Sequence, residues 1–450
     1  MLVKILKETT AVTKPVLTAV LILSGILLGV LSTSVQATPA IQTWTENGAK
    51  VLFVPTKGIA MLDVRITFDA GSARDNGLSG LSVLTNGLLA EGAAGKDSQQ
   101  IAETFESIGA QFDNDALRDM ALISVRSLTD ERYLKPALKM FGQVLTEPDF
   151  PEEAFERELN RMKVSVRVSE QSPASIASKA FYKAIYGNHP YGSPVSGTTE
   201  SLGKITLDDV RQFYKTYYVA NNATISIVGE IKHEQAQAIA KALVAALPAG
   251  KKAPMIPAPK PLTEAKTIHI EYPSSQSHIY VGQLGVKRGD KDYFSLYMGN
   301  HPFGGSGFAS RLVKVIREQN GLAYSVYSYF SPMREAGPFI MGMQTKNDQV
   351  EQALSLLNSQ LRKYLDEGPG KEELAASKSN ITGGFPLNLD SNSKLLGYIS
   401  MMGFYDLPMD YLDHFIENVK AVSRSSINDA LKRRLDADKM VTVVVGQSEH

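Results

Sequence analysis

The chain divides into two halves of similar plan, separated by a proline-rich segment. Residues 249–262 hold four prolines, which favour an extended backbone and exclude a helix. Each half opens with strand-like runs rich in β-branched residues, continues through paired helical stretches, and closes on a valine- and isoleucine-rich strand. The closing strands are residues 223–228 and 440–445. This pattern indicates an internal duplication, with a pair of unrelated domains as the alternative.

The repeated plan predicts the fold class. Strands that alternate with paired helices and return to one sheet indicate an α+β fold rather than a doubly wound sheet. We expect two homologous α/β-sandwich halves, each an antiparallel-rich mixed sheet covered by helices. The best-defined helix spans residues 350–365, where apolar side chains recur every three to four positions. The expected domains are residues 38–248 and 263–450, joined by the linker 249–262.

The N-terminus carries the features of a secretory signal peptide. Three lysines precede an apolar run over residues 16–30, and the small-residue site Val35-Gln36-Ala37 follows. We therefore expect cleavage after residue 37, export to the periplasm, and no membrane attachment of the mature protein. An uncleaved leader is the alternative, because the apolar run approaches the length of a membrane span. In that case the protein would be an anchored envelope protein.

Composition and spacing exclude several kinds of chemistry. The chain has no cysteine, so disulfide scaffolds, thiolate zinc sites and cysteine nucleophiles are ruled out. Its formal net charge is zero, which gives no reason to expect a nucleic-acid partner. No two of the seven histidines are four residues apart, so no helix presents two imidazoles to zinc. The residues alone therefore indicate a protein without visible catalytic machinery.

One segment nevertheless resembles a known active site. Residues 80–92 read Gly-Leu-Ser-Val-Leu-Thr-Asn-Gly-Leu-Leu-Ala-Glu-Gly and follow a strand and a turn. They resemble the active-site helix of the pitrilysin/insulinase family, the inverzincin zinc peptidases, which carry H-x-x-E-H there. The two histidines of that motif fall on Val83 and Gly87, and its glutamate falls on Asn86. The third zinc ligand of the family falls at about Ser165.

These four positions lack the chemistry of a zinc peptidase. Catalytic zinc needs three protein ligands and a bound water, and valine, glycine and serine supply neither imidazole nor carboxylate. An amide at position 86 does not take up a proton near neutral pH, so it cannot serve as the general base. The resemblance therefore implies a chain that holds no metal and hydrolyses no peptide alone.

A second segment resembles the C-terminal half of the same family. Residues 303–312 form a glycine-rich stretch, and residues 313–325 continue through Arg-Glu to Gly-Leu-Ala-Tyr-Ser. In the family, an arginine and a tyrosine at these positions reach toward the substrate, which implies a substrate-binding role for Arg317 and Tyr324. The arginine offers a fork of donors and the tyrosine one hydroxyl. The alternative is that Arg317 caps a helix and Tyr324 packs in the core.

The two resemblances together imply a specific function. The family includes heterodimers in which a zinc-less subunit carries the Arg/Tyr pair and closes a clam-like chamber with a zinc-bearing subunit. We expect this chain to be such a non-catalytic, substrate-positioning subunit of a periplasmic peptidase, with zinc in the partner. Peptides would add as a strand to an exposed sheet edge. A partner-independent peptide-binding or scaffolding protein is the alternative, and homo- or heterodimerisation stays open.

Overall fold

Two mixed β-sheets, one from each half of the chain, form the framework of the protein. The computed structural model describes residues 40–447, so the expected signal peptide lies outside the described residues. The strands are β1 (Gln42–Glu46), β2 (Ala49–Pro55), β3 (Met61–Phe68), β4 (Gly92–Ala93), β5 (Lys96–Asp97), β6 (Gln111–Ala116), β7 (Ala121–Leu128), β8 (Ala223–Gly229), β9 (Lys266–Glu271), β10 (Gln276–Leu284), β11 (Ser325–Phe330), β12 (Pro338–Lys346) and β13 (Val441–Gly446).

The two sheets repeat the same arrangement. The first has the order β1-β2-β8-β3-β7-β6, and the second has the order β11-β12-β10-β13-β9. In each sheet the closing strand of the half lies inside, with one parallel neighbour, β2 for β8 and β9 for β13. The other neighbouring strands of the two sheets run antiparallel. The predicted α+β class with two similar halves and antiparallel-rich mixed sheets is confirmed.

Helices cover both sheets. They are α1 (Leu81–Leu88), α2 (Ser98–Glu106), α3 (Glu131–Thr146), α4 (Glu152–Ser169), α5 (Pro173–Tyr186), α6 (Thr199–Leu202), α7 (Leu207–Tyr217), α8 (His233–Ala245), α9 (Tyr293–Asn300), α10 (Val350–Glu367), α11 (Lys371–Gly384), α12 (Asn392–Phe404), α13 (Tyr411–Ala421) and α14 (Arg424–Arg434). The predicted helix over residues 350–365 is α10, and its buried side chains include Leu357 and Leu361. Residues 307–319 do not form one continuous helix, because the backbone is extended at Ser310.

In each half, one helix packs on the sheet of the other half. Helix α5 of the first half packs on β10 and β13, and α12 of the second half packs on β2, β3 and β8. Glycines permit this close approach: a Cβ at Gly282 of β10 would lie 2.9 Å from the Phe181 ring, and one at Gly403 of α12 would lie 2.5 Å from Leu52. The two sheets are therefore joined by exchanged helices as well as by the covalent linker.

A buried carboxylate joins the two halves in the same region. Asp119, from the turn between β6 and β7, is 2% exposed. It accepts hydrogen bonds from the Tyr191 hydroxyl, from the Arg334 backbone N–H at 2.7 Å and from the Tyr405 hydroxyl at 2.9 Å. Two of these donors belong to the second half. Buried charges persist in proteins only when they are paired or hydrogen-bonded, so this cluster fixes the orientation of one half against the other.

The proline-rich segment lies along the first half as an irregular stretch of chain, without helix or strand. Asn221 donates its backbone N–H to Ala249, and Ala253 donates its own to the Asn222 side chain, each at 3.0 Å. Further along, the His189 ring contacts the Pro257 carbonyl at 2.7 Å. These contacts explain how a segment without helix or strand is held in place. Over residues 40–447, no helix is long and apolar enough to cross a membrane.

Candidate functional site

The backbone at the start of helix α1 has an unusual conformation. Gly80 precedes it with a φ of 99°, a conformation that favours glycine. The Asp75 carboxylate accepts the backbone N–H groups of Gly80 at 2.8 Å and Ser82 at 2.9 Å, and so caps the first turn. Burial raises the pKa of Asp75 to about 7, against the opposing effect of these two hydrogen bonds. A buried aspartate therefore sets the direction of the helix that carries the altered motif.

The three motif positions on α1 have structural environments. Val83 is half-buried and packs against the core of the first half. Asn86 is 2% exposed, and its amide donates to the Tyr218 hydroxyl at 3.1 Å and the Leu122 carbonyl at 3.3 Å. A Cβ at Gly87 would meet nothing within 4 Å. Asn86 thus ties α1 to its neighbours, and the position of the second histidine is open space.

The fourth position lies on the helix that packs against α1. Ser165 belongs to α4, which contacts α1, and its side chain is exposed. It lines a groove that contains none of the other three positions. Among residues 40–447, no group of three or more His, Asp or Glu side chains is arranged to hold a metal ion. The donor set does not fit the zinc of the family, because it offers an aliphatic group, an amide and a hydroxyl.

The structure brings the second predicted pair together and adds a third member. The Arg317 guanidinium lies over the Tyr324 ring at 5.5 Å and over the Phe308 ring at 5.1 Å. Tyr324 is 75% exposed and Phe308 is 74% exposed. No hydrogen bond or ion pair joins the guanidinium to any other part of the described chain, residues 40–447. The guanidinium thus packs against the faces of two aromatic rings, and its N–H groups stay available as hydrogen-bond donors.

This geometry contradicts one half of the alternative, the packing of Tyr324 in the core. The last turn of the segment Val313–Gln319 is closed by the Asn320 side chain, which donates to the Val315 carbonyl at 2.7 Å. The Leu322 backbone N–H bonds the Ile316 carbonyl at 3.0 Å. Arg317 lies in this last turn, and its side chain is not needed to satisfy the carbonyl groups of Val315 and Ile316. The segment is π-helical, a form that is frequent at functional sites.

The cluster stands at the start of an edge strand. Tyr324 directly precedes β11, which is the outermost strand of the second sheet. In the first sheet, β6 is also an edge, and its Asn114 side chain donates to the Asn86 carbonyl at 2.7 Å. An edge strand presents main-chain N–H and C=O groups to an added chain. Both the altered helix and the aromatic cluster thus lie beside strands that could accept an extended peptide.

Sequence reasoning did not single out Phe308. The side chain stands on a single turn, Gly307–Ala309, that comes before the helical segment. Gly307 has a φ of 60°, and the Ser310 hydroxyl accepts the backbone N–H of Val313 to start a new turn. The signal that could have revealed the break was the glycine cluster followed by a serine three residues before Val313. That break turns Phe308 toward Arg317.

Comparison with known proteins identifies the family. The profile described as "Insulinase (Peptidase family M16)" matches residues 51–199, and the one described as "Peptidase M16 inactive domain" matches residues 204–381. The chain belongs to peptidase family M16. This is the pitrilysin/insulinase family that the two sequence segments indicated.

Full-length relatives agree with this assignment. The crystal structure of a peptidase M16 inactive domain from Pseudomonas fluorescens superposes with a TM-score of 0.88 at 39% identity, covering 91% of this chain and 98% of that one. The "Uncharacterized zinc protease YmxG" of Bacillus subtilis (strain 168) is 26% identical over 89% of this chain and 96% of the relative. The "Non-peptidase homolog YmxG" of Helicobacter pylori (strain ATCC 700392 / 26695) is 24% identical, over 94% and 98%. The M16 chain is thus of the inactive type.

Proposed function

We propose that this chain is the non-catalytic, substrate-positioning subunit of a periplasmic zinc peptidase, paired with a zinc-bearing M16 subunit. The observation that carries the proposal is the cluster of Arg317, Tyr324 and Phe308 (the aromatic–arginine cluster). Its guanidinium is fixed by two exposed rings and donates no hydrogen bond within residues 40–447. Its N–H donors are therefore available to acceptors on another molecule.

The cluster acts by holding a peptide, and the partner performs the hydrolysis. The guanidinium and the Tyr324 hydroxyl donate to the carbonyl groups of a substrate beside the partner's zinc, which contributes through proximity and orientation. Main-chain pairing to an edge strand accepts many sequences, so selection follows extended shape more than side chains. The periplasmic location rests on the leader-like residues 1–37, with their charged start, apolar run and small-residue site.

The test reconstitutes the enzyme. The chain is mixed with an M16 chain that carries an intact H-x-x-E-H, and cleavage of a fluorogenic peptide is followed. We expect activity only in the mixture, and Arg317→Ala should lower kcat/KM about tenfold or more, in line with the loss of one charge-assisted contact. Lys314→Ala is the matched control, because Lys314 is an exposed cation of the same segment outside the cluster.

Two results would refute the proposal. One is peptide cleavage by the isolated chain that EDTA abolishes, which would mean that the chain holds its own metal. The other is full activity of the Arg317→Ala mixture, which would remove the cluster from substrate positioning. Metal analysis of the purified chain complements both, with less than stoichiometric zinc expected.

A partner-independent peptide-binding or scaffolding protein is the second candidate. The similarity to a relative named as a non-peptidase homolog over 94% of this chain favours it. Under this candidate the chain forms a stable homodimer that binds unfolded peptides and gains no activity from a zinc-bearing chain. Measuring the molar mass in solution with and without such a chain separates the two candidates.

A further inference from the structure

We propose that the groove beside Ser165 is a binding site for the C-terminal carboxylate of a peptide. The groove has a volume of about 280 Å³ and lies between α4, the start of α5 and the loop of residues 192–196. The inference rests on the proposed peptide-binding function, for which it names a second contact point.

The charge of the groove favours an anion. Two cations, Arg118 and Lys179, line it, and the lining includes no aspartate or glutamate. Within residues 40–447, neither cation forms a salt bridge. The nearby Asp119 carboxylate accepts its hydrogen bonds from Tyr191, Tyr405 and the Arg334 backbone. An anion in the groove would therefore complete a site that this part of the chain leaves positively charged.

Arg118 is held rigidly in a suitable geometry. Its Nη1 donates to the Tyr191 carbonyl at 2.6 Å and to the Ser193 carbonyl at 2.8 Å. The guanidinium also lies 4.3 Å from the centre of the Tyr182 ring. Within the described chain, its Nε and Nη2 donate no hydrogen bond. These two atoms form the side-on fork that binds a carboxylate, as Arg74 binds Asp69 elsewhere in this protein.

The remaining lining groups complete such a site. The Lys179 ammonium donates to the Ser169 hydroxyl at 2.7 Å, which leaves two of its three protons for a ligand. Hydroxyls of several serines add neutral donors, and Val166 and Val195 offer an apolar surface for the last side chain of a peptide. The volume exceeds that of a carboxylate alone and suits a terminal residue.

Ser165 is the one altered motif position that lines this groove. The resemblance to the family's active site places a glutamate, the third zinc ligand, at about this position. A carboxylate there would neutralise part of the positive charge of this groove, whereas the serine leaves it free. A hydroxyl at this position therefore leaves the groove open to an anion.

The first measurement tests the groove with small ligands. Binding of N-acetyl-leucine, N-acetyl-leucinamide and inorganic phosphate is followed by ligand-observed NMR on the full chain. We expect the acid to bind about tenfold more tightly than the amide, equivalent to about 1.4 kcal/mol. Ser165→Glu introduces a competing carboxylate at an exposed position and should abolish this difference. Ser165→Gln, which has the shape of that variant without its charge, should keep the difference. Lys179→Gln should reduce it about threefold, whereas Lys183→Gln, one turn along α5 and outside the groove, should not.

The second measurement uses an N-terminally labelled decapeptide with a free carboxylate or an amidated end, followed by fluorescence anisotropy. Equal binding of acid and amide by the unmodified protein in both measurements overturns the inference, and so does binding of phosphate without binding of N-acetyl-leucine. If Arg317→Ala weakens decapeptide binding while the two ends bind equally, the proposed function stands and this inference fails. If N-acetyl-leucine binds the groove but neither decapeptide binds, the proposed function fails and the anion site stands.

Discussion

Replacing Asp119 by asparagine should destabilise the whole protein while changing almost no volume. The carboxylate accepts three hydrogen bonds from buried or half-buried donors. Asparagine keeps one acceptor oxygen and presents an NH₂ group in place of the other, so at least one donor loses its partner. The bonds that remain become neutral and about half as strong.

The magnitude follows from these bonds. A hydrogen bond to a charged group contributes about 1.5–3 kcal/mol, against about 1 kcal/mol for a neutral one. Loss of one bond and weakening of two lowers the free energy of unfolding by about 3 kcal/mol. Tyr405→Phe, which removes a single bond, should lower it by about 1–2 kcal/mol. Asp366→Asn on the exposed face of α10 is the matched control and should change it by less than about 0.5 kcal/mol.

Urea unfolding measured with two probes checks this expectation. The single tryptophan, Trp44 in β1, reports on the first sheet, and far-UV circular dichroism reports on all helices. Because α5 and α12 exchange between the sheets, both probes should give one midpoint, and both should shift together in the variant. A loss below about 1 kcal/mol in Asp119→Asn, or a fluorescence transition that separates from the dichroism transition in the unmodified protein, would refute the reasoning.

Two further predictions concern the packing of α12 and the start of α1. Gly403→Ala places a Cβ 2.5 Å from Leu52 and 2.6 Å from Thr224. It should lower the free energy of unfolding by about 1–3 kcal/mol. The control is Gly397→Ala on the same helix, where a Cβ would meet nothing within 4 Å, and this variant should not lower the free energy of unfolding. The pKa of Asp75 is raised to about 7, so the folded state binds the proton more strongly than the unfolded chain does. The free energy of unfolding should therefore fall as pH rises from about 4 to 7, by up to about 1.4 kcal/mol per pH unit. Asp75→Asn removes the titrating group, so the difference in urea stability between this variant and the unmodified protein should change over that range. A difference that stays constant with pH would contradict the assignment to Asp75.

Much of the fold could be predicted because local periodicity decided it. One of the strand-like runs expected at the opening of the first half is β3, and the expected closing strand of the second half is β13. Edge strand β6 was missed, since its sequence Gln-Phe-Asp-Asn-Asp-Ala carries polar side chains at the exposed positions and no β-branched residue. The exchange of α5 and α12 was missed too, because the apolar face of a helix does not specify which of two similar sheets it covers.

The candidate site was predicted only as far as sequence motifs reached. Arg317 and Tyr324 were found because the flanking glycines and the Arg-Glu step are contiguous in the chain. Phe308 depends on a backbone break at Ser310 that periodicity does not reveal. The groove beside Ser165 combines Arg118 from the β6–β7 turn with Lys179 from α5, and such a meeting of distant segments is set by tertiary packing.

The exchanged helices restrict how a chamber built from this chain can admit a molecule. Hinging the two sheets apart would pull Phe181 off β10 and Leu52 away from α12, exposing closely packed apolar surface. Because exposing apolar surface costs about 25 cal/mol per Å², this packing favours movement of the two sheets as one body. In the proposed complex, a peptide would therefore enter at the seam between the two subunits, and the lifetime of their association would set the rate of uptake and release.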